Sequence, residues 1–433
     1  MEIEVGTRRD LIKMTIPLII GSLLEPIAAV IDNAFVGNLN TKWLAALAFG
    51  TMILSSVSWV FNFIIHVTTE SISKVFGQGL KRDVIGLSQV TILIALTVGV
   101  FTSLLMYVFS SSLFSLIGVR EELKTLTESY FYVRLVGHPF TILFLSSISL
   151  LRGISKVKTT MVILFLSSAL NSVLNYIFLY HYQLGAEYAA WGTNISMAIG
   201  FFIAISIHLK SIGAGAGEML KTRSFQLSDL LNFSTKSLNL FVRSFCLTTI
   251  FFLSTRIAGA LGVVDLAAHQ ILLQFWLFAS FFIDGVAIVA NIYVSRWGSS
   301  GKTDKVKWAI KECFYQGVFF GVLFTIVYFL LRSWLWGKFT SDPEVLTVLK
   351  SIWPLIVWSQ LLNALAFVVD GILFGAAAYD FLRNMMLFIL IFVFLPFAFI
   401  AYTTAQLHFL WAGLIAVSAA RLFIGLFRVN KIN

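Results

Sequence analysis

Charge is scarce in this chain of 433 residues: 12% of it is Asp, Glu, Lys or Arg, against 58% hydrophobic residues. A water-soluble domain carries roughly 25% charged residues, so too few polar side chains are present to coat a soluble globule. Cysteine is scarce as well. Cys246 and Cys313, each in or beside an apolar run, form neither a disulfide framework nor a metal-ligand spacing. Catalytic signatures are missing: there is no G-x-x-x-x-G-K-S/T loop to cradle ATP phosphates, no H-E-x-x-H and no G-x-S-x-G. The glycines Gly213, Gly215 and Gly217 follow no strand and make a poor phosphate cradle. The chain is therefore not expected to be an enzyme or to hold a resident cofactor.

What fills the sequence is long apolar runs. Stretches such as Val90–Val108 and Asn384–Thr404 match the ~20 residues a helix needs to cross ~30 Å of hydrocarbon. Transmembrane strands need only ~9–11 residues of alternating character, so the fold class is all-α and integral to a membrane. About twelve spans are expected, near 11–37, 43–76, 84–109, 123–152, 157–182, 187–210, 238–261, 265–297, 306–335, 345–376, 381–404 and 407–428. The Arg8-Arg9 pair ahead of the first run resembles a signal peptide, but the run continues to about Phe35 with no small-residue cleavage site and reads as a span.

The formal net charge of +10 is spread over short loops, which points to membrane orientation rather than nucleic acid. Placing both termini in the cytoplasm puts most of the basic residues there, among them Arg8, Lys81, Arg82, Lys156, Lys158, Lys302, Lys305 and Arg428. The far side keeps few, such as Lys42, Arg120, Lys124 and Lys338. A bacterial inner membrane is the expected location, with membrane lipids as surroundings and no nucleic-acid partner.

The chain repeats itself. One constant, ungapped shift brings Gly153 onto Gly375, Gly37 onto Gly259, Gly79 onto Gly301 and Leu44-Ala45-Ala46 onto Leu266-Ala267-Ala268. The expected domains are an N-lobe over 1–210, a cytoplasmic linker over 211–237 and a C-lobe over 238–433. Six spans per half is an even number, so the halves enter from the same side as parallel repeats, an arrangement found in transporters. Two such lobes should suffice in a monomer.

Charge within hydrocarbon costs ~2.5–3.5 kcal/mol at a helix centre on insertion scales, so each such residue needs a reason. Asp32 is the deepest acid, with Pro26 six residues earlier able to bend its helix. It can bind and release a proton, or serve as a hydrogen-bonded structural residue. Asn171 and Asn175 stand one turn apart on the fifth span, and Thr193 on the sixth could join them and Asp32 in an oxygen-rich cluster for a proton or Na⁺. The same amides and hydroxyl could merely join helices. Glu25 lies seven residues from Asp32, on about the same helix face. Asn62, His66 and Glu70 form a polar stripe, where His66 could titrate and Glu70 could pair with Lys74. Asp284 and Asp370 are acids of the second half that Arg134, Arg243 or Arg256 could neutralise. Most of the 42 Phe must face lipid or pack, though some rings could accept organic cations.

These residues fall into a pattern. Pro26, Asp32-Asn33-Ala34 and Val36-Gly37 are similar to the first-helix motif of the MATE (multidrug and toxic compound extrusion) transporters, in particular their DinF-type branch. The resemblance runs on through Thr68-Thr69, Phe76-Gly77-Gln78-Gly79, Leu151-Arg152-Gly153, Leu266-Ala267-Ala268-His269-Gln270, Asp284-Gly285-Val286-Ala287, Asp370 to Gly375 and Arg383-Asn384. It implies export of organic cations or other amphipathic compounds in exchange for H⁺ or Na⁺ by rocking of two lobes. It also implies that Asp32 is central to coupling, with Asn171, Asn175 and Thr193 completing the cation cluster. Asn175 departs from the pattern, which is acidic there in many DinF-type relatives. Losing that carboxylate weakens a Na⁺ site more than a single-proton relay, so H⁺ coupling is expected. A flippase for a lipid-linked intermediate is the alternative; it would use arginines for a pyrophosphate, and Arg134, Arg243 and Arg256 keep it open.

Overall fold

The computed structural model describes residues 7–39, 41–61, 63–117, 119, 121–221 and 226–431. Among the described residues all regular structure is helical. Among the described residues, eleven helices are long and apolar enough to cross a membrane. The remaining expected span, 43–76, arrives as two consecutive helices, the first ending at Val60 and the second starting at Phe63. That pair occupies the place of the twelfth expected span.

The chain divides into two compact units, Leu23–Thr235 and Lys236–Asn433 joined by Met1–Ser22. The first unit holds most of α1 (Arg8–Leu39), α2 (Thr41–Val60), α3 (Phe63–Gly77), α4 (Lys81–Val108), the short α5 (Ser110–Leu116), α6 (Glu121–Gly153), α7 (Val157–Asn175), α8 (Glu187–Ile212) and the short α9 (Ala216–Lys221). Helix α6 is its centre, packing on α2, α3, α4 and α8, while α7 packs on α8. The expected linker contains α9. It is held by Lys81, whose Nζ donates to the Gly213 carbonyl at 2.6 Å, and by Gln89, whose amide donates to the Met219 carbonyl at 3.1 Å.

The second unit contains most of α10 (Leu227–Leu261), then α11 (Val263–Ser299), α12 (Thr303–Leu330), the short α13 (Arg332–Phe339), α14 (Pro343–Gly375), α15 (Tyr379–Phe388), α16 (Leu395–Thr404) and α17 (Leu407–Val429). Here α14 is the centre, packed on α11, α12 and α17. The start of α1 groups with this unit rather than with 23–210, because side chains fasten it there. Arg8 pairs with the buried Glu312 at 3.1 Å, Thr15 donates to Gln316 at 2.8 Å, and Ile19 lies against Gly285 so closely that a Cβ there would meet its Cγ1 at 2.6 Å.

The repeat read from the sequence is present in the backbone. Under the same constant shift α4 falls on α12, Lys81 onto Thr303 and Val108 onto Leu330. Helix α6 falls on α14 in the same way, Glu121 onto Pro343 and Gly153 onto Gly375. Left-handed residues recur at equivalent positions, Ser155 with Ala377 and Gln183 with Ala405. Non-glycine residues rarely adopt that conformation, so equal positions mean equal turns. The equivalence fails in places: α2 and α3 correspond to the single helix α11, and the π turns differ in position. Helix α7 widens into a π-helical turn at its end, Tyr176–His181, whereas in the second unit the π turn, Ile389–Phe394, separates α15 from α16.

Candidate functional site

In the first unit α7 and α8 bring three of the expected residues together. The Asn171 side-chain amide donates to the Thr193 hydroxyl at 3.1 Å, and that hydroxyl donates to the Ala189 carbonyl at 3.1 Å. The Asn175 amide donates to Asn171 Oδ1 at 3.5 Å, at the outer limit of a hydrogen bond. Asn171 and Asn175 are buried, Asn175 completely. Buried amides are generally hydrogen-bonded, and the i, i+4 spacing on α7 facing α8 lets each of these two amides donate one such bond.

Glycine makes this arrangement possible. A Cβ on Gly192 would stand 2.5 Å from Asn175 Oδ1, so the amide occupies the space that a side chain at 192 would take. Nothing in the sequence singles out Gly192, since its role depends on the crossing of α7 and α8. Nearby, Arg134 donates to Asn194 Oδ1 at 2.7 Å, and Asn194 donates to the Val133 carbonyl at 2.6 Å.

Asp32 and Glu25 lie in the helical course of α1, but their side chains are outside the described residues, as is Asn62. Pro26 is half-buried within α1. His66 is half-buried and Glu70 buried on α3, where Ser71 donates to Glu70 Oε2 at 3.0 Å. Helix α3 packs on α4 and α6, while the amide cluster is built by α7 and α8.

The second unit gathers charge instead. Asp370 on α14 accepts through Oδ2 from Arg243 of α10 and from Arg421 of α17, the latter at 2.7 Å. All three side chains are almost wholly enclosed. Each guanidinium also lies over a ring, Arg243 over Phe374 at 5.2 Å and Arg421 over Phe367 at 5.0 Å. Asp284 accepts from Ser22 at 3.4 Å. Of the arginines expected to neutralise these acids, Arg243 does so for Asp370, Arg134 bonds Asn194 in the first unit, and Arg256 lies on an exposed position of α10. Arg421 is not among the expected partners. A charge in an apolar run is the available signal, but its partner is known only from the packing of α14 on α17.

Comparison with known proteins gives one answer. The MatE family model matches residues 17–177 and 240–405. The chain is 26% identical to Protein DETOXIFICATION 44, chloroplastic, of Arabidopsis thaliana, over 97% of this chain and 82% of that protein. It is 25% identical to the probable multidrug resistance protein NorM of Pasteurella multocida, over 85% of this chain and 80% of that protein. Among solved structures it resembles the Vibrio cholerae MATE transporter VcmN in its bent form, with a TM-score of 0.88 at 18% identity, covering 98% of this chain and 96% of that one. A MOP superfamily transporter of Pyrococcus furiosus aligns with a TM-score of 0.85 at 19% identity, covering 99% and 96% of the two chains. At such identities the structural likenesses establish the fold.

Proposed function

This chain belongs to the MatE family of multidrug and toxic compound extrusion transporters, and from that premise we propose that it is a proton-coupled exporter of organic cations or other amphipathic compounds. It works by alternating access as a monomer in the cell membrane, with both termini cytoplasmic. Asp32 carries the proton, and Asn171, Asn175 and Thr193 complete its network. The coupling proton binds when Asp32 faces outside and leaves when it faces inside, displacing the exported compound in the first step.

The observation that carries this reading is the buried Asn175–Asn171–Thr193 chain of hydrogen bonds between α7 and α8. It favours H⁺ over Na⁺ for a chemical reason. Hard cations are held by several oxygen ligands at once. Here Asn171 Oδ1 and Thr193 Oγ1 already accept hydrogen bonds within the cluster, and the α7 position contributes an amide rather than a carboxylate. One carboxylate among neutral donors suits a single proton. The flippase alternative is not favoured, because Arg243 is engaged by Asp370 and Arg134 by Asn194.

The test is efflux of a fluorescent organic cation from proteoliposomes, driven first by a pH gradient and then by a Na⁺ gradient. Transport under the pH gradient alone, abolished in a folded Asp32→Asn variant, is the expected result. A strict Na⁺ requirement, or retained pH-driven transport in Asp32→Asn, would sink the assignment.

A further inference from the structure

We propose that Tyr180 is a positioning residue for this coupling site: its hydroxyl, donated to the Phe35 carbonyl, holds the Asp32-bearing end of α1 against the helix that carries Asn171 and Asn175. The inference rests on the coupling role proposed for the first unit and adds to it the group that fixes the register of its two halves.

The geometry begins with the π turn. Immediately after Asn175 the fifth span leaves α-helical winding for Tyr176–His181. π turns of this kind occur often at functional sites. The rings of Tyr176 and Tyr180, both within that turn, stack with centroids 5.7 Å apart and planes 13° from parallel. Braced in that way, Tyr180 points its hydroxyl at α1 and meets the Phe35 carbonyl at 3.0 Å. Its ring also meets that of Phe35 edge-on at 5.7 Å. The adjacent Leu179 is buried in one cluster with Val36 of α1 and with Ala189 and Ala190 of α8. Phe35 follows Asp32 by three positions, so the contacts act within one helical turn of the acid.

The internal repeat supplies a control. At the position equivalent to Tyr180 the second unit also has a tyrosine, Tyr402, and it is 62% exposed. There the π turn ends at Phe394 and Tyr402 stands on the α-helical α16. The tyrosine is common to both units. Its turn toward the polar helix goes with the π winding of the first unit, where the amide cluster is.

A neutral hydrogen bond of this kind corresponds to about a fivefold change in an equilibrium. The experiment uses the full chain in proteoliposomes and the variant Tyr180→Phe, which keeps both ring contacts and removes only the donor. The expected result is a thermal midpoint lowered no more than by the loss of one such bond elsewhere, as in Ser103→Ala, and an external proton concentration for half-maximal efflux moved about fivefold, with substrate KM unchanged. Backbone hydrogen exchange in the last turn of α1 should rise about fivefold in the same variant. Tyr402→Phe should move neither. An unchanged ion midpoint, or unchanged exchange in α1, overturns the proposal. If even the wild type ignores both H⁺ and Na⁺ gradients, the coupling reading has failed, and the exchange comparison alone decides whether Tyr180 holds α1.

Discussion

The two units share a scaffold and differ in what they place on it. In both, a glycine on one helix receives the backbone of another: a Cβ at Gly99 would stand 2.7 Å from Pro139 Cα, and one at the equivalent Gly321 would stand 2.8 Å from Leu361 Cα. One turn further, Ser103 donates to the Leu135 carbonyl at 3.0 Å and its counterpart Thr325 to the Val357 carbonyl at 3.2 Å. These contacts concern only backbone spacing, and both copies keep them. At another crossing the units part. Gly192 makes room for the Asn175 amide, whereas Phe397, the counterpart of Asn175, lies against Gly413, one position before the residue that the shift pairs with Gly192, with its Cβ 2.7 Å from where a Cβ there would stand. Polarity is retained in one unit and replaced by an aromatic residue in the other. Close helix packing constrains volume and leaves chemistry open to diverge.

The second unit places its polar groups elsewhere, as the Asp370 carboxylate between Arg243 and Arg421. A buried ion group of this kind is weak evidence for net stability but costly to break, because removing one member leaves the others uncompensated. The comparison therefore makes opposite forecasts for acids in the two units. Asp370→Asn is expected to cost about 3–5 kcal/mol and to show as a large fall in thermal midpoint in detergent, before any effect on coupling can be read. A variant of normal stability that had lost coupling would put Asp370 among the coupling residues instead.

Glycine variants sharpen the contrast at a smaller scale. Gly192→Ala and Gly413→Ala each force a methyl group into a filled crossing, at about 1–3 kcal/mol of overpacking. Comparable losses in thermal midpoint are expected. Only Gly192→Ala should also lose ion-driven efflux per folded molecule, because only there does the methyl displace an amide of the cluster. Equal efflux from the two variants would remove the functional difference between the crossings. The smallest effects belong to the shared scaffold. Ser103→Ala and Thr325→Val should each cost about 0.5–1.5 kcal/mol, measured by thermal unfolding, with efflux unchanged in both. A coupling defect in either would mean that the scaffold bond is more than scaffold.

Much of this is legible before folding is considered. Spans follow from hydropathy because a bilayer interior tests each ~20-residue segment on its own. Boundaries are less legible: the division of 43–76 between Val60 and Phe63 has no glycine or proline there to announce it, and α10 begins at Leu227, inside the expected linker. Asn171, Asn175 and Thr193 could be grouped because i, i+4 spacing is a local property and polar residues within spans are few. Asp370 is recognisable as a buried acid, yet one of its two arginine partners is not. Arg421 lies 51 residues away on another helix, and ion pairing at that separation has no local signature.

By itself, the sequence determined the all-helical membrane class, the twofold repeat and its spacing, and the short set of intramembrane polar residues, since each follows from local hydrophobicity or from comparing the chain with itself. Tertiary structure alone decided which of those residues meet. It attached the start of α1 to the second unit, set Asn175 against Gly192, turned Tyr180 toward Phe35 while leaving Tyr402 exposed, and gave Asp370 two guanidiniums. The physical reason is that such meetings depend on how helices distant in sequence cross and wind. One extra residue in a helical turn is enough to change which side chain faces which neighbour.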